Sequence, residues 1–380
     1  MVLGLLDAAA STQPALTQPT VTLEFAAGGG GGLGGALGEV GGAIAGLAGL
    51  GTGTAALADG LIALTLRRDL APAVDVAELL LVRVPGGPDL PAPGDQGRIG
   101  LAAGDQSAGF ACAVELVETG ARGLARLTAT NGGRLLAQTR VDRSYADQAP
   151  GAIIDDLAQR AGATSAAGGA GQNLPRYVAD GGRSVLEHIA RLAATAGRLA
   201  AFDDAGELTL IDDTATGDSV ATFAAGETLL DFRVVAREGA GSLTVDGAGA
   251  SDSGGNAWAW LRKEAGPMSV SGGDGLPQRR LAAPWVRSPQ TAADLAGAHL
   301  RAQARMAALG RFLVPAAPAV VPGAVFTIAG TGTADGTWRA LAVTLRFDRA
   351  TGMTSEIEAA PTGAGAGLPL GLPAGLGGLP

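Results

Sequence analysis

The sequence is built from short runs of alternating polar and apolar residues that are separated by glycine-rich joints. Thr20–Phe25 alternates in this way, and strand-like runs follow at Leu61–Leu66 and Glu78–Val84. Beyond a Gly- and Pro-rich turn come three more such runs: Arg98–Ala102, Phe110–Glu118 and Leu124–Ala129. A period of two predicts half-buried strands, and glycine at the joints predicts short turns. This part of the chain is therefore expected to form a small barrel or a curled sheet.

Two helices are predicted in the middle of the chain. In Gly151–Gly162 apolar residues recur three and four positions apart, and a glycine ends the pattern. Ser184–Gly197 begins with Ser-Val-Leu-Glu, a capping-box sequence in which Ser184 and Glu187 can each satisfy a free backbone N–H. Together with the flanking strand patterns, these helices predict an α+β fold that is mainly β.

The last third of the chain returns to strands around one long helix, Thr291–Leu309. The predicted strands are Leu229–Arg237, Ser242–Asp246, Phe312–Val314, Ala324–Ala329, Thr337–Phe347 and Met353–Ala359. We therefore predict a first β domain over residues 1–140, a helical α/β portion over 141–228 and a second β domain over 229–360. Residues 361–380 repeat Gly-Leu-Pro without a charge and predict a flexible or polyproline-like tail.

Composition argues against several classes of function. The chain has 27 basic and 36 acidic residues and a formal net charge of −9, whereas a nucleic-acid-binding surface needs clustered Lys and Arg. Cys112 is the single cysteine, which rules out an intramolecular disulfide and a cysteine-based zinc site. The N-terminus has neither the basic region nor the apolar length of a signal peptide.

Residues of the kinds that enzymes use do not form a catalytic pattern. His188 and His299 lie on or beside apolar helix faces, which favours structural roles, and no Gly-x-Ser-x-Gly motif occurs. Cys112 alternates with apolar neighbours and is predicted to be a small core residue. The acid pairs are adjacent in sequence, so their side chains point apart and solvated surface is favoured over a glycosidase site; they are Asp155-Asp156, Asp203-Asp204 and Asp212-Asp213. We expect no catalytic residue, no cofactor site and no metal site.

The least generic segment is a glycine-rich insert over residues 28–56. Between Gly28 and Gly53, 14 of 26 residues are glycine. Its apolar residues repeat with a heptad-like spacing and form a candidate packing stripe of Leu33, Leu37, Val40, Ile44 and Leu47. Three readings stay open here, namely a segment that packs against protein, a low-complexity loop and a segment that touches a membrane. So much glycine disfavours an isolated helix.

Several strings of the sequence follow one another in a characteristic order, namely Arg140–Gly162, Ser184–Gly197 with the hairpin that ends in Leu208–Ile211, the helix Thr291–Leu309, Val321–Ile328 and Gly336–Phe347. Their order and spacing resemble the late-control D family of contractile phage tails. Together they cover roughly residues 60–360. Members of this family are baseplate central hubs and are similar to the hub portion of type VI secretion spike proteins.

The resemblance implies a homotrimer in which each subunit carries two tube-like β-barrel domains with an α/β portion between them. It implies a structural hub that adapts a trimeric spike to the hexameric tail tube, in a virion baseplate or an extracellular contractile particle assembled in the bacterial cytoplasm. Expected partners are a separate spike protein, the tail tube protein, the tape-measure protein and other baseplate proteins. DNA or an effector would pass through the lumen without specific binding. The insert is not part of the family pattern.

The alternative hypothesis is a secreted enzyme with β domains that cleaves carbohydrate or peptidoglycan. A hub requires no catalytic constellation, in keeping with the scarcity of such patterns in this sequence, whereas the enzyme would need one of the acid pairs to act on substrate. The hub is the leading hypothesis.

Overall fold

The computed structural model describes residues 19–26, 54–83, 86–213, 217–237, 241–250, 261–263, 269–273, 277–283, 286 and 288–362. The α-helices of these residues are α1 (Thr54–Asp59), α2 (Gly133–Gln138), α3 (Pro150–Arg160), α4 (Val185–Thr195) and α5 (Pro289–Ala307). The strands of the first half are β1 (Thr20–Phe25), β2 (Leu61–Asp69), β3 (Val76–Val82), β4 (Gln96–Ala103), β5 (Gln106–Thr119), β6 (Leu124–Thr130), β7 (Arg143–Gln148) and β8 (Leu174–Ala179). The remaining strands are β9 (Arg198–Phe202), β10 (Leu208–Asp212), β11 (Thr222–Ala224), β12 (Asp231–Ala236), β13 (Leu243–Ala250), β14 (Leu261–Lys263), β15 (Ser269–Gly272), β16 (Arg279–Ala283), β17 (Ala308–Pro315), β18 (Val325–Ala329), β19 (Gly336–Asp348) and β20 (Gly352–Pro361).

One large sheet dominates the structure and confirms the predicted α+β, mainly β class. Ten strands follow one another in the order β1-β4-β5-β6-β3-β2-β19-β20-β17-β12, and β18 and β11 branch from β19. β2 and β19 run antiparallel, with Leu66 opposite Leu345. Strands from the first and last sections of the chain therefore share a single sheet. Among the described pairings, this path ends at β1 and at β12, and no closure into a barrel is seen.

One hydrophobic core also joins these two sections. Phe110 and Leu127 from the first section belong to the same buried cluster as Phe312, Phe326 and Trp338 from the last. The rings of Phe312 and Trp338 meet edge to face, with centroids 4.8 Å apart, a favourable arrangement for an aromatic pair. The sequence predicted the strands, but neither the β2–β19 pairing nor the shared core.

The α/β portion has a core of its own. It contains the antiparallel strand pair β7–β8 and the β9–β10 hairpin. It also contains the helices α3 and α4, whose apolar faces meet through residues such as Ile154, Leu157 and Ile189. The predicted capping box of α4 is present, because Ser184 Oγ accepts from the Glu187 N–H at 3.3 Å and Glu187 Oε2 accepts from the Ser184 N–H at 2.7 Å. Both predicted helices are confirmed to within two residues at each end.

The helix α5 packs against a smaller sheet made of β13, β14, β15 and β16. Ser288 caps it by accepting from the Thr291 N–H at 3.1 Å, so the helix starts two residues before the predicted position. It ends at Ala307 rather than Leu309, because Ala308 already pairs with Ala236 as the first residue of β17. The predicted loop with Trp258 and Trp260 lies outside the described residues.

Candidate functional surfaces

The candidate packing stripe of the insert lies outside the described residues. Its members are Leu33, Leu37, Val40, Ile44 and Leu47. The described chain resumes at Thr54, where α1 begins inside the predicted insert of residues 28–56. The stripe therefore stays a prediction.

His188 is a buried structural residue, as predicted. Its side chain lies on α4 and is fully buried. The Nε2–H donates to the Asp180 carbonyl oxygen at 3.0 Å, since that oxygen can only accept, and Nδ1 therefore accepts from the Tyr177 hydroxyl at 2.8 Å. Both ring nitrogens are used within the protein, so neither is available to a substrate.

His299 and Cys112 also have environments that suit packing rather than chemistry. Burial, together with the nearby Arg191 charge, holds the pKa of His299 below its ordinary value of 6.5. Burial raises the pKa of the Cys112 thiol to about 12, so the reactive thiolate is not formed near neutral pH. The prediction that Cys112 is a small core residue is confirmed.

The prediction of a solvated surface for the acid pairs was wrong at Asp213. The Asp213 side chain is only 5% exposed and is held by two arginines of α5. Asp204 remains 41% exposed, although it also pairs with the buried Arg68. The third pair is also engaged locally, since Asp155 accepts from the Ser165 hydroxyl at 2.7 Å and Asp156 from the Tyr145 hydroxyl at 2.7 Å. These carboxylates organise the fold instead of facing each other across a substrate cleft.

A buried ionic cluster joins the large sheet to the α/β portion. Arg68 on β2 is 2% exposed, and its guanidinium donates to Asp204 Oδ1 at 2.8 Å and to the Phe202 carbonyl oxygen at 2.7 Å. On its other side Arg68 Nε lies 3.7 Å from Asp75 Oδ2. The Asn131 side-chain amide donates to the same Asp75 oxygen at 2.9 Å. Because a buried charge needs partners in place, this cluster fixes the hairpin β9–β10 against the sheet.

Asp75 has the most perturbed carboxyl group of this cluster. Burial raises its pKa to about 7, and the positive charge of Arg68 offsets part of that rise. The group therefore keeps its proton to a much higher pH than an exposed aspartate does.

A second ionic contact joins the α/β portion to α5. Asp213 follows β10 and accepts from Arg301 Nε at 3.0 Å and from Arg305 Nη1 at 2.5 Å. Beside it, Arg339 on β19 donates to the Asp212 carbonyl oxygen at 2.8 Å. The end of β10 is thus tied to the long helix and to the large sheet at once.

The face of the large sheet that points away from the core carries alternating charges. Glu356 on β20 is paired with Arg311 on β17 and with Arg346 on β19. Partial burial would raise the pKa of Glu356, but hydrogen bonds from Arg346 and Arg311 hold it below its ordinary value. Arg67 on β2 reaches Glu358 at 3.9 Å. The charges at these positions are locally balanced.

One end of the large sheet exposes apolar side chains. β12 pairs with β17 in the described structure, and its other edge has no described partner. Leu230 is 55% exposed and Phe232 is 36% exposed along this edge. An open strand edge with apolar side chains is a template for pairing with another chain.

Within the described residues, no three His, Cys, Asp or Glu side chains are grouped so as to hold a metal ion. No helix in that part of the chain has both the length and the apolar character needed to cross a membrane.

The fold is shared with solved tail proteins of low sequence identity. The 43 kDa tail protein of prophage MuSo2 from Shewanella oneidensis is 13% identical, and the match covers 90% of this chain and 98% of that protein with a TM-score of 0.62. A tail protein from Neisseria meningitidis MC58 is 12% identical, with coverage of 90% and 96% and a TM-score of 0.63.

A component of the Escherichia coli type VI secretion system, described as structurally similar to the T4 bacteriophage tail proteins gp27 and gp5, is 11% identical. That match covers 80% of this chain and 74% of the secretion protein, with a TM-score of 0.51. No protein-family model and no curated protein matches the sequence. The chain therefore has the fold of these phage tail and type VI secretion proteins. Sequence identities of 11–13% establish a shared fold and nothing further.

Proposed function

We propose that this chain is the structural hub of a contractile tail or a related injection machine, and that it adapts a trimeric spike to the hexameric tail tube. The observation that carries the proposal is a fold shared over 90% of the chain with two tail proteins that it covers almost completely. The partners in this proposal are further copies of the chain, a separate spike protein, the tube and tape-measure proteins and other baseplate proteins. The site of action is a virion baseplate or an extracellular contractile particle assembled in the bacterial cytoplasm.

The open edge of β12 supports a role that requires assembly. Leu230 and Phe232 would be stabilised by removal from water, at roughly 25 cal/mol per Å² of apolar surface buried. A second copy of the chain that covers this edge satisfies its backbone groups and its apolar side chains together. We therefore assign the β12 edge to the contact between subunits of a trimer.

The ionic clusters suit a part that must transmit force. Arg68 with Asp204, and Asp213 with Arg301 and Arg305, hold the α/β portion to the sheet and to α5. Buried hydrogen-bonded charges are costly to separate singly, so these contacts resist relative movement of the parts. The hub would hold the spike until contraction without any chemical step.

The charge pattern of the exposed sheet face suits a lumen. Pairing of Glu356 with Arg311 and Arg346 leaves no cluster of unpaired positive charge at that position to retain a polyanion. The formal net charge of −9 acts in the same direction. On this proposal DNA or an effector passes without specific binding.

No observation favours the alternative of a secreted enzyme. The acid pairs that it would use are bonded within the fold, as Asp204 is to Arg68 and Asp213 is to α5.

The experiment that tests the proposal is a mass measurement by native mass spectrometry on the chain alone and with its candidate spike protein. We expect a complex that contains three copies of this chain, formed by the chain alone or only when the spike is present. A complex with one copy of each protein would contradict the hub proposal.

A further inference from the structure

A small trough lies on the outer face of the large sheet, and Asp204 of the Arg68 cluster forms part of its lining. It has a volume of about 250 Å³ and lies across β1, β4 and β5, next to the tip of the β9–β10 hairpin. Its floor is made by two glycines that face each other in register, Gly100 and Gly109. A Cβ atom at Gly100 would lie 2.3 Å from Thr22 Oγ1, so the trough exists because these positions carry no side chain.

Arg98 lies on this floor with its guanidinium against Gly109. A Cβ atom at Gly109 would lie 2.4 Å from Arg98 Nη2 and 2.8 Å from its Nε. Glu24 is opposite Arg98 in the β1–β4 register, yet the two side chains form no ion pair. Within the described part of the chain, the half-buried Arg98 guanidinium has no hydrogen-bond or ion-pair partner.

The other polar groups of the trough add hydrogen-bond donors beside the Arg98 guanidinium. The hydroxyls of Thr20, Thr22 and Ser107 line it, and none of them has a partner among the described residues. Asp204 also lines the trough, but one of its oxygens accepts from Arg68 and the other from the Gly109 N–H at 2.8 Å. A guanidinium and three hydroxyls can all donate to one oxyanion.

We propose that this trough binds the carboxylate of an acidic side chain presented by a neighbouring protein chain. A planar carboxylate matches the two parallel N–H groups of a guanidinium. A doubly charged phosphate would be repelled more strongly by the nearby Asp204 carboxylate. Its volume of about 250 Å³ lies just below the range of about 300–1,000 Å³ that is typical of pockets for small molecules.

The small volume also favours a side chain over a free organic acid. A free molecule loses translational and rotational freedom on binding, and one guanidinium contact offsets little of that loss. A side chain on a protein that is already docked has lost most of this freedom beforehand. The inference concerns the trough alone, so its test needs only the isolated full chain and is independent of the hub proposal.

The test is a titration with glutarate, whose carboxylate is attached like that of a glutamate side chain. Binding is followed in NMR spectra through the backbone amide signals of β4 and β5 along the trough, which every variant retains. We expect saturable binding in the millimolar range that is at least tenfold weaker in Arg98→Gln. Arg126→Gln is the matched control, since Arg126 is an exposed arginine of the same sheet outside the trough. Gly109→Ala should also weaken binding at least tenfold, because its methyl group displaces the guanidinium tip.

Four results would overturn the inference. The proposed site would be contradicted if glutarate caused no saturable shift in the wild-type protein. It would also be contradicted if Arg98→Gln bound glutarate as well as the wild type does. Inorganic phosphate that binds more tightly than glutarate would contradict a carboxylate site. A micromolar dissociation constant for glutarate would assign the trough to a free organic acid instead of a side chain.

Discussion

Arg68 donates to Asp204 at 2.8 Å across 136 residues of sequence, and this contact ties β2 of the large sheet to the tip of the β9–β10 hairpin. The same arginine lies beside Asp75, so one buried cation serves two carboxylates. The stability of the junction therefore depends on a charge balance as well as on apolar packing.

Replacing Arg68 by Met should destabilise the protein by about 3–5 kcal/mol, because it leaves Asp75 buried without its cation. Arg67→Met is the matched control. Arg67 is the neighbouring residue, its side chain is 48% exposed, and its contact with Asp69 is a surface pair worth about 1 kcal/mol or less. The measurement is urea unfolding at pH 7. Equal losses in the two variants would contradict a special role for the Arg68 cluster.

Asp75 should make stability decrease as the pH rises from about 4 to 7. Burial raises the pKa of this group to about 7 in the folded chain, despite the opposing effect of Arg68, whereas the ordinary value is 3.8. Between these two values the folded state holds a proton that the unfolded state has released, so raising the pH favours unfolding. Asp75→Asn should remove this contribution, measured as the difference from wild type in unfolding free energy at pH 5, 6 and 7.

His299 acts in the opposite direction and provides the control. Burial and Arg191 hold its pKa below 6.5, so the unfolded state takes up a proton first as the pH falls, and stability decreases on acidification. His299→Gln should therefore reduce the loss of unfolding free energy that occurs as the pH falls. Asp75→Asn should instead reduce the gain in unfolding free energy between pH 7 and pH 5. Identical profiles for wild type and Asp75→Asn would refute the assignment to Asp75.

Asp213→Ala should loosen the helix α5. It removes the acceptor of Arg301 and Arg305, and hydrogen bonds to charged groups contribute about 1.5–3 kcal/mol each. We expect faster amide hydrogen exchange along α5 and a lower unfolding free energy. Asp294→Ala is the control on the same helix, where the carboxylate accepts from Gln290 one turn away. Unchanged exchange in Asp213→Ala would show that packing alone holds the helix.

The double variant Leu230→Asp with Phe232→Asp should weaken assembly while leaving the isolated chain folded. Both side chains are already exposed, so we expect a change of about 1 kcal/mol or less in the unfolding free energy. Val178→Asp is the control, because Val178 is 54% exposed but lies on β8 in the α/β portion. The readout is the copy number of the assembled complex. Normal assembly of the double variant would contradict the proposal that subunits contact one another at the β12 edge.

Leu37→Asp with Ile44→Asp tests the predicted packing stripe of the insert. If the stripe is buried on assembly, two carboxylates without partners would each cost several kcal/mol, and particles should form poorly. Ala36→Asp with Ala43→Asp places the same charges at the same spacing off the stripe and should be tolerated better. Particle yield and injection are the measurements. Equal yields from both variants would assign the insert to a tolerated loop, and loss of liposome leakage alone would favour membrane contact.

Features that depend on neighbours in sequence could be predicted, and most of them are observed. The capping box of Ser184 and Glu187 needs only residues three positions apart, and the structure has both of its hydrogen bonds. The helix α3 and the buried position of His188 follow from apolar residues on one helix face. The trough could not be predicted in this way, because Gly100 and Gly109 resemble other glycines of the chain until β4 and β5 pair.

The sequence by itself determined the mainly β class, the positions of most strands and helices, and the shortage of catalytic side chains, because each follows from local periodicity or from composition. Tertiary structure alone decided that β2 pairs with β19, that Asp204 meets Arg68 and that Asp213 meets α5. An adjacent pair of aspartates predicts solvated surface only while its partners are unknown. The arginines that pair with these acids lie far away in sequence, so the final charge balance is set when the sheet and the helix pack together.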